Sequence, residues 1–291
     1  MLALMPIPKR LALCAALACF AATAQAQLDT ELLPADGARQ PKWEAGVAGV
    51  AVTVPDYPAS DENRSLALPA PYFVYHGRVL RSDDEEGSRL RQKLTPNIEL
   101  SISGGGALSS DSKDSDARRG MPDLGYLLEV GPNLRLSFDG PRPQSKILVD
   151  LPVRAVTSVQ DFEFDWRGLL FAPEIAYQSE RFLGGKLKLR AEVGVDFGTT
   201  LLQRYFYDVA PQYATVDRPA YAAHAGYLGA SFGTRASYAF SRRVRGFVGL
   251  GYDQYAGAAS DDSPLFRSRH GYSAVTGFSW SFLQSREFAE E

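Results

Sequence analysis

Along residues 186–197 (K-L-K-L-R-A-E-V-G-V-D-F) apolar and charged positions alternate almost without interruption. Leu187, Leu189, Ala191, Val193, Val195 and Phe197 share one side of an extended chain, and Lys188, Arg190, Glu192 and Asp196 share the other. The same period of two recurs elsewhere. Ile147, Val149, Leu151, Val153 and Ala155 alternate with Lys146, Asp150 and Arg154, and Phe162, Phe164 and Trp166 alternate with Glu163, Asp165 and Arg167. Near the end, Tyr272, Ala274, Thr276, Phe278, Trp280 and Phe282 alternate with small residues. No helical periodicity competes over a useful length. The pattern predicts ten strands, near 43–54, 67–77, 88–103, 124–138, 145–157, 162–179, 186–200, 225–240, 243–256 and 270–282. Pro152 interrupts one of them, and its missing N–H calls for a bulge or a rim position there.

The connections sort by length. Residues 55–66, 104–123, 201–224 and 257–269 are long and polar or rich in Pro and Gly, whereas 139–144, 180–185 and 241–242 are short. Two segments depart from strict alternation: the acidic stretch 78–87, carrying Asp83, Asp84, Glu85 and Glu86, and the short connection 158–161. Long loops on one side and tight turns on the other suit an all-β, antiparallel, up-and-down transmembrane β-barrel of about ten strands. Trp43, Tyr72, Tyr75, Phe162, Trp166, Tyr238, Phe240, Tyr252, Trp280 and Phe282 fall near strand ends, where amphipathic rings meet a water–lipid boundary. In a barrel the apolar side of 186–197 meets lipid and its charges face inward. In a soluble sandwich the same charges would face water.

The N-terminus bears on this choice. Lys9-Arg10, a run of small and apolar residues to Ala22, and Ala24-Gln25-Ala26 together describe a secretory signal peptide cut after Ala26. The run is shorter than the ~20 residues that a spanning helix needs. Residues 27–42 then form an irregular lead-in, 43–282 the barrel, and 283–291 a tail. Both cysteines, Cys14 and Cys19, lie within residues 1–26, which leaves neither disulfides nor thiol chemistry to the remainder. Removing Lys9 and Arg10 from 31 basic residues leaves 29 against 34 acidic ones, a net charge of −5 that argues against a nucleic-acid partner.

Chemistry is sparse. Beyond the signal there are three histidines, His76, His224 and His270, with no H-x-x-x-H spacing, no nucleophile elbow and no phosphate loop. No catalytic residue, cofactor or metal site is expected. One enzymatic alternative places His224 and His270 at the mouth, near Asp208, Asp217, Asp261 and Asp262, where a carboxylate-polarised imidazole would activate water. Arg242, Arg243 and Arg245 cluster at a turn on the opposite rim and are candidates for contact with anionic headgroups or a partner protein.

Several long stretches resemble one family. Y-P-A-S-D-E-N-R (57–64) followed by L-P-A-P-Y-F-V-Y (68–75) is similar to the opening of the MipA/OmpV family of outer-membrane proteins. So are D-A-R-R-G-M-P-D-L (116–124), E-V-G-P-N-L (129–134) and V-D-L-P-V-R-A-V (149–156). Y-F-Y-D-V-A-P-Q-Y-A-T-V-D-R-P-A-Y (205–221), A-G-Y-L-G (225–229) and A-G-A-A-S-D-D-S-P-L (256–265) complete the resemblance. It departs at the C-terminus, where L-Q-S-R-E-F-A-E-E follows the aromatic Phe282. The resemblance implies an outer-membrane barrel surrounded by lipid. It also implies partners, since a member is regarded as a scaffold joining a lytic transglycosylase, a murein hydrolase, to a penicillin-binding murein synthase. Other members are described as porin-like proteins or adhesins, and no catalytic residues carry over. The family-like stretches concentrate in the long loops, so Tyr205, Tyr207, Asp208, Tyr213 and Tyr221 are expected to pack back over the mouth as a plug or to contact a ligand there.

Overall fold

The computed structural model describes residues 42–75, 91–241 and 243–285. Its strands are β1 (Trp43–Pro55), β2 (Asn63–Tyr75), β3 (Arg91–Thr95), β4 (Ile98–Ala107), β5 (Tyr126–Asp139) and β6 (Ser145–Gln160). They continue with β7 (Glu163–Phe171), β8 (Glu174–Phe182), β9 (Leu187–Gly198), β10 (Gly226–Ala239), β11 (Val244–Gln254) and β12 (His270–Gln284). One eight-residue helix, α1 (Thr200–Tyr207), follows β9. The strands form a single antiparallel sheet in the order β2-β1-β12-β11-β10-β9-β7-β6-β5-β4-β3, with β8 between β6 and β9 below β7. The first strand pairs with the last over most of its length, from Glu44 opposite Gln284 to Thr53 opposite Ala274. The ends of the order, β2 and β3, are separated by ten antiparallel steps and so run in the same direction. The acidic run Asp83–Glu86 and His76, between these strands, lie outside the described residues.

Twelve strands replace the predicted ten because two predicted strands are each divided. Segment 88–103 contains the hairpin β3–β4, turned at Pro96-Asn97. Segment 162–179 is β7 and β8, broken at Ala172-Pro173. That break also explains Pro152. The lower part of β6 pairs with β8 up to Asp150 opposite Glu174, and its upper part pairs with β7 from Val153 opposite Phe171. Pro152 sits at the changeover, where no ladder bond requires its missing N–H, and its carbonyl accepts the Ala172 N–H at 3.3 Å. The proline therefore occupies a partner exchange in mid-strand instead of a rim.

The two faces are unlike. Val193, Phe197, Val130, Ile102, Val248, Leu250 and Phe278 stand exposed on the outside. Aromatics ring both ends of this surface: Phe138, Phe240, Trp280 and Phe282 near the tight turns, and Phe162, Phe164, Trp166 and Tyr272 toward the long loops. A water-soluble sandwich would bury such a band.

The inner face carries the charges, and most of these are paired. At the turn end Arg245 meets Glu44 at 3.5 Å, and Glu44 also accepts hydrogen bonds from Ser281 Oγ (3.0 Å) and Gln284 Nε2 (3.2 Å). Higher up, Arg135 holds Asp150 through Nε and Nη2 at 2.7 and 2.9 Å, and Asn133 donates to the same carboxylate at 2.7 Å. Arg190 bridges Glu174 (2.5 Å) and Glu192 (2.6 Å), and Arg154 reaches Glu129 at 3.3 Å. Carboxylates removed from bulk water need such partners, because an unpaired buried charge is strongly unfavourable.

Candidate functional site

The long connections lie together at one end of the sheet and pack into one apolar cluster. Tyr57 and Ala59 enter it from loop 56–62, Met121 and Leu124 from loop 108–125, and Tyr255 and Leu265 from loop 255–269. The largest share comes from loop 199–225, whose α1 contributes Leu202, Phe206 and Tyr207 and whose return contributes Val209 and Ala223. Gly168 makes this arrangement possible. Its φ of 100° lies in the left-handed region, and a Cβ there would strike the Thr199 Oγ1 that begins α1.

Hydrogen bonds tie the loops to one another. Tyr57 Oη donates to the Leu265 carbonyl at 2.8 Å, and the Ala59 carbonyl accepts the Arg267 and Ser268 amides at 2.9 Å. Tyr207 Oη donates to the Pro58 carbonyl at 2.9 Å, while Ser263 Oγ donates to the Tyr207 carbonyl at 2.8 Å. Arg118 Nη1 caps the Phe206 carbonyl at 2.9 Å, close to the C-terminus of α1, where a cation complements the helix dipole. Its Nη2 reaches the Pro122 carbonyl at 3.3 Å, and its guanidinium lies 5.8 Å from the Tyr57 ring centre. Arg218 returns the link, donating Nη1 to the Ala117 and Arg119 carbonyls at 2.9 and 3.0 Å. The result is a lid over the mouth whose parts hold one another.

Each residue predicted from the loops has a place in it. Tyr207 is fully buried, and Tyr205 donates to the Gly125 carbonyl at 3.0 Å beneath the Arg167 guanidinium, 4.7 Å from its ring centre. Asp208 Oδ1 accepts the Ala223 N–H at 2.7 Å, Tyr221 pairs its backbone with Val209, and the Tyr213 carbonyl accepts from Arg218 Nη2 at 2.9 Å. Burial pushes the Tyr57, Tyr207 and Tyr255 phenols well above their ordinary value and Tyr205 up to about 12, so all four are neutral donors at neutral pH. Asp123 moves the other way: the Ser112 N–H, 2.7 Å from its Oδ1, holds its carboxyl below the usual range.

At the opposite rim the arginine cluster divides. Arg243 is exposed, and Arg242 lies outside the described residues. Arg245 is corrected from a surface residue to an inner one. Alternation along β11 turns it into the interior, where it is 5% exposed and paired with Glu44. His270 Nδ1 meets the Tyr252 hydroxyl at 2.8 Å, and the carboxylate of Asp208 is engaged by backbone. Among the described residues no three His, Cys, Asp or Glu side chains group closely enough to hold a metal ion.

Sequence reasoning passed over Arg118, Arg218, Tyr57 and Ser263. A signal was available, since all four lie inside the family-like stretches 57–64, 116–124, 205–221 and 256–265.

Among solved structures, the translocator domain of the autotransporter NalP from Neisseria meningitidis is similar at 11% identity and a TM-score of 0.42, over 95% of this chain and 100% of that one. The outer-membrane channel DcaP of Acinetobacter baumannii aligns at 10% identity and a TM-score of 0.34, over 86% and 99%. The NanC porin aligns at 7% identity and 0.36, over 82% and 99%. No curated protein matches the chain. Residues 47–282 match the family model described as "MltA-interacting protein MipA". The chain therefore belongs to the MipA family and is an outer-membrane β-barrel protein.

Proposed function

We propose that this protein is a non-catalytic scaffold of the outer membrane that holds a murein-cleaving lytic transglycosylase close to a penicillin-binding murein synthase. A signal peptide cut after Ala26 delivers it to the envelope. Family membership supplies the kind of partner, because the family is described by its interaction with MltA. The observation that carries the reading from geometry is the lid. Four loops are joined by buried side chains and backbone-directed arginines, above a lumen whose wall is lined by ion pairs between neighbouring strands. Such a body favours a fixed platform over an open pore or a working active site. The partner-facing surface is the turn end, with residues 27–42, Arg242 and Arg243. Arg245, closed inside, is not part of it.

The test is recovery of partners from envelope extracts by the full-length protein in mild detergent. Both a murein hydrolase and a murein synthase are expected, with Arg243→Glu lowering the yield. Recovery of neither would overturn the scaffold reading.

A small-solute channel or surface receptor is the second reading. It is favoured by the space beneath the lid, described next.

A further inference from the structure

Under the lid, in the upper part of the lumen, lies a chamber of about 310 Å³. Its roof and upper wall are apolar, including Leu124, Leu202, Phe206 and Leu228. Four carboxylates, Asp56, Glu129, Asp196 and Asp253, line the same space, and Asp56 is answered by Arg64 at 3.0 Å. Glu129 is answered by Arg154 at 3.3 Å. Asp253 stands beside Tyr255, and Asp196 has neither an ion-pair nor a hydrogen-bond partner among the described residues. The sheet thus places two acidic groups with no ion pair of their own in a recess with apolar walls: Asp196 has near it only the Arg154 guanidinium, already paired with Glu129, and Asp253 is met by the Tyr255 hydroxyl. A carboxyl in such surroundings is stabilised by a proton or by a cation beside it.

We infer that the chamber binds a small organic cation with an apolar body, its ammonium head between Asp196 and Asp253 and its hydrophobic part beneath Leu202 and Phe206. The volume is at the lower end of small-molecule sites, which combine apolar walls with a few fixed polar groups. The rings of Tyr57, Phe206 and Tyr255 line it too, and aromatic faces attract cations. An anion would meet two uncompensated carboxylates. A bare metal ion is disfavoured, since the carboxylates do not group at ligating distance. This site is independent of the scaffold reading, and either can fail without the other.

The test uses full-length protein in lipid nanodiscs, titrated calorimetrically with phenethylammonium chloride at pH 7, with the heat of empty discs subtracted. Saturable one-to-one binding is expected, with 2-phenylethanol at least tenfold weaker and 3-phenylpropanoate not bound. Asp196→Asn should weaken binding at least tenfold while keeping the heat-modifiable migration of a folded barrel. Ala107→Phe narrows the chamber from the end of β4 without touching a charge. It should also weaken binding at least tenfold, which keeps the test decisive if the Asn variant does not fold. Heat no greater than that of empty discs, equal affinity for the alcohol, or binding unchanged in both variants would overturn the proposal.

Discussion

Replacing Arg118 with methionine isolates what holds the lid together. Methionine keeps most of the apolar stem and deletes the guanidinium, which is 4% exposed at the residue level. Two bonds are lost, to the carbonyls of Phe206 at 2.9 Å and Pro122 at 3.3 Å, together with the contact over the Tyr57 ring. Hydrogen bonds from a charged donor contribute roughly 1.5–3 kcal/mol each, and the longer one lies at the weak end. Working against this, the guanidinium is itself desolvated, and its Nε has no hydrogen-bond partner, so its removal relieves part of that cost. The net expectation is a loss of about 2–4 kcal/mol, confined to the lid. At 1.4 kcal/mol per factor of ten, that is about thirtyfold to several-hundredfold in the opening equilibrium. Hydrogen exchange reads it directly. Amides of α1 and of loop 108–125 should exchange faster by that factor, while β10, β11 and β12 keep their protection. Unchanged loop exchange would mean that Arg118 is incidental. Equal loss across the strands would mean that the lid and the sheet form one cooperative unit.

Other consequences are read in the same way. Val193 is 52% exposed on the outer face near the middle of β9, so Val193→Arg should destabilise the protein by about 2–4 kcal/mol in urea titrations from vesicles, whereas Glu192→Gln, within the lumen, should be far milder. Asp150→Ala removes the acceptor of three hydrogen bonds and should cost about 3 kcal/mol, and the double change Arg135→Leu with Asp150→Leu should restore most of it. The lid phenols titrate above their ordinary value. Their contribution to stability is therefore complete below about pH 10 and is lost as pH rises toward 12 and beyond, so loop proteolysis should increase in that alkaline window, and Tyr205→Phe should blunt its onset.

Much of the wall was legible in the sequence because a sheet between two unlike surroundings writes its period into the chain. The charges of 186–197 are the inner set: Arg190 bridges two carboxylates, while Val193 and Phe197 lie exposed outside. Strand divisions were not legible, and the reason is phase. Phe171 and Ile175 are both exposed, four residues apart, so alternation runs on unbroken across Ala172-Pro173. Leu94 and Leu100 are likewise in phase across the Pro96-Asn97 turn. Periodicity reports which face a residue occupies and says little about where backbone pairing changes partner. The lid was visible only as aromatic, family-like loops. That Arg118 and Arg218 serve backbone carbonyls roughly a hundred residues away follows from the fold, because an arginine in a polar loop reads as solvated until its acceptors are placed. The inward turn of Arg245 was legible from β11 alternation, yet proximity to Arg242 and Arg243 grouped it with the surface.

The central claim is that lid and lumen together make a closed platform, and ionic conductance tests it most directly. Full-length protein inserted in a planar bilayer should pass no steady current, because the mouth is covered by interlocked loops and the inner wall below is filled with the paired side chains of Arg190, Arg135 and Arg245 and their carboxylates. Stable, ohmic current steps from the intact protein would contradict the account and favour a channel.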